Sequence, residues 1–340
     1  MKKIRVAING FGRIGRLVLR AAVESGRRDI EFVAVNDLMP ADQSAFLLEH
    51  DSVHGAFPAT VKIAEVPRSG RGMTVLSVGG HKIKVLSERD PAALPWRELG
   101  VDVVMECTGI FTSADAARAH IAAGAKRVLV SAPSRGADRA IVIGVNDRAL
   151  KKSDKIVSCG SCTTNALAPV AAVLDEKFGI IDGWMTTVHS YTGDQQLLDK
   201  NHRDFRRARA AAMSIIPTTT GAALAIGDVL PRLSGKLNGI ALRVPTPDVS
   251  VVEFVVNLKK RATADEINAA LTAAAKGAMK NILGIESRPL VSVDFIHDAR
   301  SSIVDTALTH TIGGMAHVTT WYDNEWGFSN RMCDLASKMG

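Results

Sequence analysis

Ser161-Cys162-Thr163-Thr164-Asn165 sets one thiol among small hydroxyl residues, where an apolar helical pattern begins. Unpaired N–H groups and the positive end of the helix dipole stabilise a thiolate at such a place. The placement predicts that Cys162 is a nucleophile at neutral pH. A thiol nucleophile needs a proton acceptor. His189, in Thr186-Thr187-Val188-His189-Ser190-Tyr191-Thr192, lies near the end of a predicted strand, where site residues emerge onto loops. Taken singly, a buried inert cysteine and a satisfied core histidine are the ordinary readings. The chain has nine histidines, so the pairing is an expectation for the structure to test.

A second set of residues points to a dinucleotide. Gly10-Phe11-Gly12-Arg13-Ile14-Gly15 follows a predicted strand and opens a predicted helix. The first glycine allows a tight turn, the second admits a pyrophosphate to the backbone, and the third lets helix and sheet pack. Asp37 follows the second strand at about the 20-residue spacing of an acidic residue that accepts from the adenosine ribose. Its charge repels a 2′-phosphate, which favours NAD over NADP.

The elements that must position these residues change character along the chain. Ile4 to Ile8, Glu31 to Val35, Val101 to Met105, Arg127 to Val130 and Ile141 to Ile143 read as buried strands, with a helix at Ile14 to Glu24. That alternation predicts a doubly wound, Rossmann-type α/β parallel sheet. From about residue 180 the strand candidates lengthen: Trp184 to Val188, Ile240 to Val244, Val249 to Leu258, Val291 to Phe295 and His317 to Trp321. Helices are predicted near 217–230, 263–280 and Ser329 to Lys338. The second half reads as an α+β domain with a mostly antiparallel sheet. The expected division is 1–160 with 322–340 as cofactor domain and 161–321 as catalytic domain.

Apolar residues form 46% of the chain, which indicates a globular protein with no run long enough to span a membrane. Four cysteines are too few for a disulfide framework and fit a cytoplasmic location. The net charge of +7 suits anionic metabolites. Neither a membrane nor nucleic acid is an expected partner, since only Phe205 interleaves the basic run from Arg203 to Arg209.

Six motifs occur in order: the segment from Asn9 to Arg16, Ser161 to Asn165, His189 to Gln195, Thr219-Thr220-Gly221-Ala222-Ala223, Arg243-Val244-Pro245-Thr246-Pro247 and Trp321-Tyr322-Asp323-Asn324-Glu325. Over essentially its whole length the chain resembles the phosphorylating glyceraldehyde-3-phosphate dehydrogenases. The resemblance implies a homotetramer that oxidises a phosphorylated aldehyde with NAD and inorganic phosphate, through a thiohemiacetal and a thioester on Cys162. It implies His189 as base, Thr192 and Arg243 at the substrate phosphate, and Ser161, Thr163, Thr220 and Gly221 at inorganic phosphate with Arg207 beside them. For the cofactor it adds Arg13 and Ile14 at the pyrophosphate, Arg89 near adenine, Ser131 near the nicotinamide ribose and Asn324 at the carboxamide.

Some positions depart from the family pattern. Cys159 creates a C-x-x-C with Cys162, and three readings follow: a tolerated small residue, a reversible disulfide, or half a metal site that lacks its second pair. No metal is therefore expected. Ala166 and Leu224 replace a usual cysteine and lysine. Lys200-Asn201 replaces the Leu-Pro of strictly NAD-dependent members and keeps NADP as an alternative cofactor. Erythrose-4-phosphate dehydrogenase is the rival within the chemistry. A redox-sensing or nucleic-acid-binding protein on the same scaffold is the rival of another class.

Overall fold

The computed structural model describes residues 3–66 and 73–340. The chain divides into two compact units. The first takes in the described residues up to 141, with 148–160 and 329–340; the second holds 142–147 and 161–328. The segment 322–328 clusters with the second unit because Tyr322 ends a strand of that unit's sheet, paired with Ser250.

In the first unit the chain runs β1 (Ile4–Asn9), α1 (Arg13–Glu24), β2 (Ile30–Asn36), α2 (Ala41–Glu49), a short ribbon of β3 (His50–Asp51) and β4 (Gly55–Ala56), then β5 (Val61–Val66), β6 (Met73–Val78) and β7 (His81–Leu86). It continues through β8 (Val103–Glu106), α3 (Ala114–Ala122), β9 (Arg127–Val130), β10 (Arg139–Ala140) and β11 (Ile156–Ser158). The sheet order is β10-β11-β9-β8-β1-β2-β7-β6-β5. Pairing is parallel from β10 to β7, and β6 and β5 extend the edge antiparallel. Val6, Ala7, Ile8, Val103, Val104 and Met105 are all fully buried, as strands covered on both faces require. The strand order reverses at β1, between β2 and β8. Ligands of such sheets bind at the carboxyl ends of strands beside this switch.

In the second unit Ser161 caps α4 (Cys162–Phe178), its hydroxyl accepting from the Thr164 N–H at 3.0 Å. The strands are β12 (Ile180–Ser190), β13 (Ile216–Thr219), β14 (Leu237–Val244), β15 (Ser250–Leu258), β16 (Leu283–Glu286), β17 (Ser302–Ile312) and β18 (Met315–Tyr322). The helices are α5 (Ile226–Val229) and α6 (Ala264–Lys276), and α7 (Trp326–Met339) carries the chain back to the first unit. The order is β13-β14-β12-β15-β18-β17-β16, antiparallel except for β12 with β14 and β16 with β17. The buried face of α4, with Leu167, Val170, Ala171 and Leu174, lies on this sheet. That packing carries the helix start to the sheet's inner face.

Three sequence expectations are corrected. Ile141 to Ile143 is no strand: pairing ends at Ala140, and the Asn146 side chain takes the Val142 N–H into a turn. Val291 to Phe295 is a 3-10 turn, because the Asp294 carboxylate accepts from the Val291 N–H at 2.8 Å. The helix read over 217–230 is one short turn, α5, and its first part is β13, paired with β14.

Candidate active site and cofactor cavity

Register brings the catalytic candidates of the second unit together. β12 and β14 are parallel neighbours in which His189 sits opposite Arg243. Paired residues on adjacent strands project to the same face. Arg243 Nη1 accordingly lies 2.9 Å from His189 Nδ1 and donates to the Ser190 carbonyl at 2.9 Å. That carbonyl is also 2.8 Å from Nδ1. The carbonyl only accepts and the guanidinium only donates, so the two compete for Nδ1. The carbonyl contact is the shorter and Arg243 Nη1 already donates to that carbonyl, so we assign the ring proton to Nδ1. The lone pair then sits on Nε2, which is 3.4 Å from the Cys162 Sγ at the start of α4.

The electrostatics qualify the expected thiolate. Burial pushes the Cys162 thiol above its ordinary value. Arg243, the Thr163 hydroxyl and N–H groups of the helix start pull the other way. Burial, followed by Arg243 and opposed by the Ser190 carbonyl, lowers the His189 imidazole to about 3. The resting pair is thus neutral thiol beside neutral imidazole, not the free thiolate predicted from the helix start alone. Desolvation at the buried end of α4 exceeds what the helix terminus supplies.

Behind the pair, Tyr322 OH lies 2.9 Å from both Thr163 Oγ1 and Thr187 Oγ1, and its ring meets His189 edge-on at 5.9 Å. Asn324 is buried, with its Oδ1 accepting from Ser190 at 2.9 Å and Ser250 at 2.8 Å. Sequence reasoning did not single out Tyr322, Thr187 or Ser250. Tyr322 stood inside a motif already quoted, but its hydroxyl partners come from α4 and from β12, two strands away.

The anion candidates divide. Ser161 Oγ is used as helix cap, and Thr163 Oγ1 faces Tyr322. Among the described residues the buried Arg243 Nε has no hydrogen-bond partner. Arg207 lies close enough to act electrostatically on both His189 and Arg243. Its nitrogens bond Thr218 Oγ1 at 3.0 Å, Asp194 at 2.5 Å and the Thr219 carbonyl at 3.2 Å. Thr220 and the exposed Gly221 follow directly, the Thr220 hydroxyl accepting from the Ala222 N–H. Thr192 accepts from Gln195 through its carbonyl, and its side chain is half-buried.

The first unit holds a cavity of about 400 Å³ at the carboxyl ends of β1, β2 and β8. Asn9, Gly10, Asp37, Arg89, Cys107 and Thr108 are among its lining residues. Gly10 has φ +89°, and a Cβ there would meet the Thr108 nitrogen at 2.5 Å. A Cβ on Gly15 would strike the Gly10 carbonyl at 2.1 Å, whereas one on Gly12 would meet nothing within 4 Å. The loop is therefore closed against itself and open at Gly12, as a pyrophosphate needs. Asp37 is fixed by the N–H groups of Phe11, at 2.6 Å, and Met39, at 2.9 Å. Ile14 lies in the first turn of α1, and Ser131 bonds the Cys107 thiol. Arg13 behaves differently from expectation: its guanidinium grips both oxygens of Asp51, at 2.6 and 3.1 Å. Cys159 is fully buried and bridged to no other cysteine of the described residues.

Residues 4–114 match the family model described as "Glyceraldehyde 3-phosphate dehydrogenase, NAD binding domain", and 161–324 match its C-terminal domain. The chain belongs to the glyceraldehyde-3-phosphate dehydrogenase family. It is 56% identical to the glyceraldehyde-3-phosphate dehydrogenase of Xanthobacter flavus over 338 residues, covering 99% of this chain and 98% of the relative. The figures for Cereibacter sphaeroides are 57% with the same coverage. For Zymomonas mobilis they are 54% over 339 residues, again 99% and 98%. The glyceraldehyde-3-phosphate dehydrogenases are oxidoreductases, and the Gly10–Gly15 loop of this member falls inside the NAD binding match.

Proposed function

We propose that this chain oxidises D-glyceraldehyde 3-phosphate to 1,3-bisphosphoglycerate with NAD and inorganic phosphate. The observation that carries the reading is the Cys162 thiol at 3.4 Å from a neutral, oriented imidazole. Attack on the aldehyde carbon forms the C–S bond as the thiol proton passes to His189 Nε2. The N–H of Cys162 and the imidazolium steady the developing oxyanion, which takes the proton from Nε2 to become the thiohemiacetal hydroxyl and leaves the imidazole neutral again. His189 then takes the hydroxyl proton as the carbon is oxidised to a thioester. NAD, when bound, supplies the hydride acceptor. Phosphate oxygen next attacks the thioester carbon, a C–O bond forms, the C–S bond breaks, and the sulfur recovers its proton.

Thr192 and Arg243 are assigned to the substrate phosphate. The unpartnered Arg243 Nε supports this, since a buried donor gains most from an anionic acceptor. Inorganic phosphate is assigned to the helix start at Ser161 and Thr163 with Thr220 and Gly221. Arg207 serves by bracing Thr218 and Thr219. Gly10, Gly12, Ile14, Gly15, Asp37, Arg89 and Ser131 are assigned to NAD, with Asn324 as carboxamide contact. Arg13 contributes its backbone more than its Asp51-bound guanidinium. We further propose a cytoplasmic homotetramer, supported by the exposed Trp184, Leu197, Leu198, Phe205 and Met213. Among the described residues no helix is long and apolar enough to cross a membrane.

The test is NADH formation from glyceraldehyde 3-phosphate and from erythrose 4-phosphate, with and without phosphate, repeated with NADP. The expected result is phosphate-dependent turnover, fastest with glyceraldehyde 3-phosphate and NAD. Phosphate-independent turnover, or preference for the four-carbon aldehyde, would refute the proposal.

A further inference from the structure

The antiparallel register between β12 and β15 sets Thr187 opposite Val252 and Val188 opposite Val251. Continued, it would set His189 opposite Ser250 and Ser190 opposite Val249. It stops short because Val249 lies in the left-handed region at φ +64°, which a β-branched residue rarely adopts. Packing keeps it there, since Val249 is buried in an apolar cluster with Phe295 and Ile303. β15 therefore begins at Ser250, and no ladder carbonyl faces Ser190 from that side.

Ser190 is fully buried, so its N–H needs another acceptor. The Ser250 side chain supplies it: the Ser190 N–H donates to Ser250 Oγ at 3.1 Å. The Ser250 hydroxyl donates onward to Asn324 Oδ1 at 2.8 Å, and the Ser190 hydroxyl donates to the same oxygen at 2.9 Å. Ser190 is thus tied at its N–H and at its hydroxyl, and its carbonyl faces His189 Nδ1 at 2.8 Å. The peptide that carries this carbonyl is held at its far end by the Tyr191 N–H, which donates to the Thr246 carbonyl at 3.1 Å. Ser250 holds the near end.

Small movements of that peptide matter because Arg243 Nη1 stands 2.9 Å from the same Nδ1. The carbonyl requires a proton on Nδ1. The guanidinium, which only donates, requires a bare Nδ1 and so places the proton on Nε2. Only the first arrangement leaves Nε2, 3.4 Å from the Cys162 Sγ, able to take the thiol proton. We propose that Ser250 is a positioning residue that decides this competition, given that His189 is the base of the reaction proposed above. By replacing the ladder acceptor that Val249 withdraws, its hydroxyl keeps the Ser190 carbonyl on Nδ1 and the lone pair on Nε2. Without it the buried Ser190 N–H must turn to find an acceptor, the carbonyl turns with it, and Arg243 takes Nδ1.

The test is the tautomer of His189 in the full chain without cofactor or substrate, read by nitrogen NMR of histidine-labelled protein. Protonated and bare ring nitrogens resonate in separate ranges, and His189→Asn identifies the signals. Wild type should carry the proton on Nδ1. Ser250→Ala should move it to Nε2 in most molecules and lower kcat by about tenfold or more, towards the loss of a general base. Ser190→Ala deletes one bond to Asn324 but keeps the N–H and the carbonyl, and should keep the wild-type tautomer. If Ser250→Ala does not fold, Ser250→Cys fills the site with a poor acceptor and is read in the same way. A folded Ser250 variant with the proton still on Nδ1 shows a merely structural role and overturns the proposal. So does a wild type protonated on Nε2, or an equal shift in Ser190→Ala. Wild type with the expected tautomer but no turnover of glyceraldehyde 3-phosphate sinks the catalytic reading instead, and with it the service of Ser250 to that reaction.

Discussion

At the scale of single residues, proton positions decide the chemistry. His189 stays neutral because burial and Arg243 both oppose its cation. Its value falls from the ordinary 6.5 to about 3 in the folded chain, so the folded state binds fewer protons. The resulting stability is fully present above pH 6.5 and is lost as pH falls from there towards 3. For activity, kcat/KM should show no acid limb near pH 6.5, because the base is already unprotonated there; a limb at that value would show an ordinary imidazole. His189→Asn should lower kcat by about 10²- to 10⁴-fold, as loss of a general base does. Arg243 pulls the Cys162 thiol down, so Arg243→Gln should raise the pH at which iodoacetamide alkylates it. Alkylation with an unshifted pH profile would remove Arg243 from that role.

At the scale of elements, the glycine loop separates folding from binding. A Cβ at Gly12 meets no protein atom within 4 Å, whereas one at Gly15 collides with the Gly10 carbonyl. Gly12→Val should therefore leave the apo Tm within about 1–2 °C of wild type, a neutral surface change, yet abolish NAD binding by calorimetry. A large fall in apo Tm would mean that Gly12 is structural. This loop was legible from sequence because its strand, turn and helix are contiguous. So were β9, with its bounds, and α6, whose Thr263–Glu266 capping box marks its start. Elements decided by distant partners were not. The alternating Val291 and Val293 imitate a strand but are 58% and 64% exposed, closed into a turn by Asp294. β17 escaped notice because polar Asp305, Thr306, Thr309 and His310 interrupt it; its place is set by pairing with β18. The same limit applied at the site. Cys162 and His189 were individually visible, but Arg243 reaches the imidazole only through the β12–β14 register.

At the scale of the whole molecule, the proposed homotetramer rests on apolar surface that the second unit exposes. Trp184 and Thr186 point outward from β12, next to Asn238 and Ile240 of β14, while Met185 and Thr187 point inward to the core. Trp184 is 47% exposed and Ile240 37%; the segment after β12 adds Leu198 at 72% and Phe205 at 87%. Scattered surface apolar residues are ordinary, but a sheet face joined to a loop of this kind supports the interface of the proposed homotetramer. Identical chains meet most simply through a closed, self-complementary contact, and two such contacts make a tetramer. A charge on this face should disrupt assembly without touching the inner face that carries His189. Trp184→Glu combined with Ile240→Glu should sediment as a smaller assembly than wild type. Burying two uncompensated charges in an interface costs several kcal/mol, enough to shift the equilibrium at micromolar concentration (about −8 kcal/mol). Sedimentation of wild type as a single copy, or of the variant as an unaltered tetramer, removes this face from the interface. A dissociated variant that retains thiol reactivity at Cys162 would show that the nucleophile is set by β12, β14 and α4 alone.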